Sequence, residues 1–148
     1  MSIKPIYHKE SRLLVLLIHG VVSSEQVEQS INDGVQIYRT ESLAGELLVM
    51  DRRARFDPML YSVGGDITKN MALRIGMDMA MKSAMICTYE QETDAPQFWS
   101  ILTKVRGIRQ YRFYRDLDGA AEWLGVEPHV LGTVLDQTTA EMGTRLEL

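Results

Sequence analysis

Leu13-Leu14-Val15-Leu16-Leu17-Ile18 contains no polar residue in six positions. Side chains alternate between the two faces of a strand, so a run without a polar alternate has no face suited to water. Such a run fits a central strand covered on both sides. Leu47-Leu48-Val49-Met50 and Ala84-Met85-Ile86-Cys87 have the same character. Short apolar runs separated by helix-length stretches point to a βαβ alternation and a mostly parallel sheet.

The stretches around these runs supply the remaining elements. Residues 3–7 and 12–18 read as two strands joined near Lys9-Glu10-Ser11. Pro5 consigns the first to an edge, because proline cannot donate to a ladder. Ser23 or Ser24 caps a helix to about Tyr38, with Gln26 placed for a capping box and Val27, Ile31, Val35 and Tyr38 on one face. After Gly64-Gly65, Asp66 caps a second helix with the stripe Ile67, Met71, Ile75 and Met79. A third helix starts at Thr93 or Asp94 and carries Phe98, Ile101, Leu102 and Val105. Residues 110–115 alternate Tyr111 and Phe113 against Arg112, which suits a strand near the sheet edge with one wet face. Asp116 or Asp118 caps a short helix ended by Gly125. Beyond Pro128, the spacing of Leu131, Leu135, Thr138 and Met142 predicts a final amphipathic helix. The expected fold is single-domain α/β: a mixed, mostly parallel sheet with a leading β-hairpin and helices on its faces.

Composition bounds the function classes. The 148 residues suffice for one domain, and a net charge of −4 argues against nucleic acid as the main partner, since phosphate backbones need a basic face. Cys87 is the only cysteine, which excludes an intramolecular disulfide. Residues 1–10 are polar and include Pro5, unlike a signal peptide, and no apolar run approaches the length of a membrane span. A soluble cytoplasmic protein without a membrane span is expected.

Chemistry is concentrated after the strand at 46–50. Asp51 emerges at the sheet's C-terminal edge, where open α/β sheets hold ligands and switches. Arg52, Arg53 and Arg55 follow, with Asp57 close behind. Arginine can fork-bind a carboxylate or phosphate, but Asp51, Asp57 and Asp66 are available to neutralise the cluster within the chain, and a solvated ion-pair loop is the favoured state. Met71, Met77, Met79, Met81 and Met85 could line an adaptable apolar pocket or fill the core. Asp51, Arg52, Arg53, Arg55, Asp57 and Met71 are therefore the candidate ligand-binding residues.

No catalytic set is complete. His19-Gly20 imitates the oxyanion loop of α/β-hydrolases, but Leu60-Tyr61-Ser62-Val63-Gly64 lacks the first glycine of a nucleophile elbow. His19 reads instead as a strand-end residue that hydrogen-bonds a loop. A response-regulator phosphoacceptor at Asp51 would need a pair of acids on the first strand, where this chain has His19-Gly20. His8, His19 and His129 have no histidine or cysteine at i+2 or i+4, and no glycine-rich phosphate loop occurs, so neither metal nor cofactor is expected.

Several stretches together resemble the STAS and SpoIIAA-like families. A strand ending in Gly20 before a capped helix is similar to the family's opening, and ELLVMD (46–51) is similar to its central strand. Lys82-Ser83-Ala84-Met85-Ile86-Cys87 resembles the basic residue and buried strand of SpoIIAA-like proteins. Tyr111-Arg112-Phe113-Tyr114-Arg115-Asp116 with Ala120-Ala121-Glu122-Trp123-Leu124 is similar to their closing strand and helix. The resemblance covers roughly residues 10–125. It departs at Asp57-Pro58-Met59-Leu60, where anti-sigma-factor antagonists carry a phosphorylatable serine, so that switch is not carried over.

The resemblance implies a STAS-like domain over residues 1–127, and the amphipathic helix and tail over 128–148 extend beyond the family's usual end. It implies a non-catalytic interaction or regulatory module with a protein partner, and pairing of C-terminal helices would make a homodimer. Through the related Sec14-like fold it also implies, as an alternative, binding of a small anionic or lipid ligand. An enzyme using Asp51 or Asp57 as base beside an arginine is the third reading.

Overall fold

The computed structural model describes residues 3–57, 82–86 and 110–143. Five strands form one sheet: β1 (Ile3–His8), β2 (Leu13–Ile18), β4 (Gly45–Met50), β6 (Lys82–Ile86) and β7 (Gln110–Tyr114), in that spatial order. β1 runs antiparallel to β2, while β2, β4, β6 and β7 are mutually parallel. Spatial order follows chain order from edge to edge. The leading hairpin and the edge position of the Pro5 strand agree with the sequence reading.

Residues 58–81 and 87–109 connect β4 to β6 and β6 to β7, and lie outside the described residues, as do 144–148. The second and third expected helices fall there, with Met71 and Cys87.

Both faces of the sheet are covered, as the all-apolar strands require. Helix α1 (Ser24–Thr40) buries Val27, Ile31 and Val35 against Leu16, Ile18, Leu48, Met50 and Met85. Its start is set by a complete capping box: Ser23 Oγ accepts from the Gln26 backbone, and the Gln26 side chain accepts from the Ser23 N–H. Leu13, Val15, Leu17, Leu47, Val49, Ala84 and Ile86 point to the opposite face. There they meet α2 (Leu117–Leu124) and α3 (Pro128–Met142).

Helix α2 is capped by Asp116 and stopped by Gly125, whose φ of 73° is left-handed. It approaches β7 closely through Gly119, where a Cβ would stand 2.6 Å from the Tyr114 ring. One turn on, the Trp123 indole N–H donates to the Ser83 carbonyl at 3.2 Å.

Two details depart from the sequence reading. The segment after Gly20 and the arginine loop each contain a two-residue strand, β3 (Val21–Val22) and β5 (Arg55–Phe56), which pair in parallel. Two residues are too short for periodicity to reveal. The larger difference concerns the C-terminal helix. Leu131, Leu135 and Thr138 do share its buried face, but that face lies on the chain's own sheet and on α2. The stripe read as a dimer surface is thus used internally. Substituting Leu131, which is fully buried, by alanine should cost about 2–5 kcal/mol of unfolding free energy. A urea midpoint unchanged from wild type would refute this placement of α3.

Candidate functional site

The carboxylate of Asp51 follows β4 directly, at the C-terminal edge of the parallel strands. Its backbone N–H donates to the Ile18 carbonyl at 2.8 Å, continuing the hydrogen bonding between β4 and β2. The chain then turns at once, with the Ala54 N–H donating to the Asp51 carbonyl at 3.0 Å. The Asp51 side chain braces this turn. Its Oδ1 accepts from the Arg53 backbone N–H at 2.8 Å and from Arg53 Nε at 3.0 Å, and Oδ2 accepts from Nη2 at 3.0 Å. A two-pronged arginine contact combined with an Asx turn is a strong, directional arrangement.

The two partners differ in exposure: the Asp51 side chain is 1% exposed and that of Arg53 is 55% exposed. Asp51 is the buried member, so the charge that most needs compensation is the carboxylate. Arg55 Nη1 folds back to donate to the carbonyls of Arg52 and Ala54, while Arg52 is exposed. The Arg55 and Asp57 backbone N–H groups donate to the Gly20 and Val22 carbonyls, seating β5 beside β3. The loop is therefore a hydrogen-bonded unit in which Arg53 and Arg55 are engaged by the chain itself. The structure brings Asp51, Arg52, Arg53, Arg55 and Asp57 together as the sequence suggested, and Met71 lies outside the described residues.

A second feature was not legible in the sequence. A cleft of about 490 Å³ opens between the β1–β2 turn and α3, lined by His8, Lys9, Glu10, Ser11, His129, Val130, Thr133, Val134 and Gln137. It falls within the volume range of small-molecule sites. Val130 and Val134 give it an apolar part, and two histidines widely separated in the chain contribute to its lining. Only the fold could join them. Among the described residues, no group of three histidine, cysteine or acidic side chains could hold a metal ion.

His8 fastens the hairpin to α3. Its Nε2 lies 2.6 Å from Thr138 Oγ1, and Thr138 Oγ1 lies 2.7 Å from the Val134 carbonyl. A carbonyl can only accept, so the hydroxyl proton goes to Val134 and His8 Nε2 is the donor to Thr138. Burial lowers the His8 pKa below its ordinary value, with Glu141 opposing the shift.

Three further polar groups stand apart. Glu46 and Ser83 are in register on β4 and β6 and both are fully buried, and among the described residues Ser83 Oγ has no hydrogen-bond partner. Their alternation with Leu48 and Met85 puts them on the α1 face. His19 was expected to hydrogen-bond a loop, but among the described residues its buried Nε2 has no partner. The local sequence signals β-strand termini at these positions and carries no mark of their neighbours.

Comparison with known protein families finds no family model that matches this chain, and comparison with curated proteins finds no match.

The two contacts have separable consequences. Asp51→Asn should keep an acceptor for the Arg53 backbone N–H but remove the charge from the fork, lowering stability by about 1–3 kcal/mol in a urea titration. An unaltered midpoint would mean that the brace contributes nothing. For His8 the folded state disfavours the proton, so its contribution is fully present above the unfolded pKa of 6.5. It is lost as pH falls from 6.5 through the lower folded value. The wild-type minus His8→Gln stability difference should therefore shrink between pH 7.5 and 5.5. A pH-independent difference would contradict the assignment.

Proposed function

We propose that this chain is a non-catalytic, STAS-like interaction module that acts by binding a protein partner or a second copy of itself. The observation that carries this reading is the state of Asp51. A general base or phosphoacceptor at the sheet edge needs a carboxylate that can meet a substrate. Here the carboxylate is buried and both oxygens accept hydrogen bonds from Arg53. That arrangement supports a part in shaping the loop and speaks against the enzymatic reading built on Asp51. The mixed sheet with a leading hairpin and helices on both faces is in keeping with a STAS-like fold. Since α3 spends its apolar face within the chain, self-association would use other surfaces.

The alternative, a binding domain for a small anionic or lipid ligand, draws support from the cleft beside His8 and His129. One measurement separates the two. Native mass spectrometry of gently purified protein should show a dimer of the 16.8 kDa chain without added mass. A monomer at micromolar concentration would remove self-association. An adduct on the order of a few hundred daltons would instead favour the ligand-binding reading.

A further inference from the structure

Lys82 and Arg112 converge on a single aromatic ring. Lys82 Nζ lies 4.7 Å and Arg112 Cζ 4.2 Å from the Trp123 ring centroid. These distances place the two cationic heads within about 9 Å of each other, inside the Debye length of about 10 Å at 0.1 M salt. The arrangement is built by the fold. Lys82 pairs with Gln110 and Ala84 with Arg112 across β6 and β7, so the two cations are diagonal neighbours on one face of the sheet. Trp123 descends onto that face from α2, held by its hydrogen bond to the Ser83 carbonyl.

The pair lacks what surface cations ordinarily find. Among the described residues, neither Lys82 nor Arg112 has a hydrogen bond or a carboxylate partner. This is the reverse of the loop at 51–57, where Arg53 meets Asp51 and Arg55 meets backbone carbonyls. Arg112 is exposed, Lys82 is half-buried, and Glu122, next to Trp123 on α2, is also exposed. The indole faces attract cations but cannot neutralise them. Among the described residues, two like charges thus remain without a carboxylate partner beside one ring.

We propose that Lys82, Arg112 and Trp123 form a binding site for a phosphate-class dianion, supplied by a soluble phosphate ester or a phospholipid headgroup. The arginine offers paired donors to two oxygens and the lysine a point charge to a third. A phosphate monoester carries close to the two negative charges that two cations balance. Stacking on Trp123 already restricts both side chains, so less conformational freedom is lost when the anion arrives. The inference is independent of the STAS-like reading, since it uses only these three residues and their register.

The test follows the Trp123 indole N–H by ¹⁵N-edited NMR, its signal assigned by loss in Trp123→Phe. Inorganic phosphate should give a saturable shift that chloride at equal ionic strength does not. Arg112→Gln and Lys82→Gln should each weaken phosphate binding about tenfold, the loss of one charge-assisted contact. In a second arm, vesicles of phosphatidylcholine with and without phosphatidic acid are sedimented with the protein. Saturable binding of phosphate without sedimentation identifies a soluble ligand. Sedimentation that requires phosphatidic acid and is lost in Arg112→Gln identifies a headgroup. If neither occurs, or if both variants respond as wild type does, the proposal is overturned.

Discussion

The parallel contact between β2 and β4 is the constraint from which the rest of this structure follows. Both strands are buried along their whole length, and their side chains alternate between two different helical layers. Leu16 and Leu48 need α1, whereas Leu17 and Leu47 need α2 and α3. Each fully buried leucine is worth about 1.5–3 kcal/mol relative to exposure. A register slip of one residue would send every one of them to the opposite layer. The same register puts Gly45 opposite Lys82 and beneath Leu124, where a Cβ would come within 2.9 Å of the leucine side chain.

The functional geography follows from this frame. At the C-terminal edge, Asp51 continues the β2–β4 hydrogen bonding and immediately turns the chain with its side chain locked to Arg53. The acid and base that look most reactive on paper satisfy one another. Elsewhere the hairpin turn meets α3 across an open cleft, and β6 and β7 hold two cations against Trp123.

Much of the architecture was legible from residue pattern. The apolar runs identify β2, β4 and β6, Pro5 marks an edge, and Ser23 with Gln26 marks the start of α1. The 51–57 site was legible too, because its members are contiguous in the chain and can meet through a single turn. His8 and His129 were read as isolated residues, since neither has a histidine or cysteine at i+2 or i+4 and 120 positions lie between them. Arg112 was read as the wet face of an edge strand, but its face also receives Trp123. Periodicity reports whether a side chain is buried or exposed, and it is blind to which distant side chain lies across from it.

The amphipathic pattern of α3 marks this division most sharply. Leu131, Leu135 and Thr138 at helical spacing establish that one face must be covered, whatever the fold. The identity of the cover is a matter of topology. The short turn after Gly125 returns the chain over the sheet, where Leu13, Val15 and Leu17 still lack a partner layer. An intramolecular surface is held at high effective concentration, so the stripe closes the core of its own chain. Among the described residues, pattern thus established the longer elements, their faces and the arginine loop. Packing in three dimensions assigned α3 to the core, sealed Asp51 with Arg53, and brought Lys82 and Arg112 to Trp123, because those outcomes depend on contacts between segments remote in sequence.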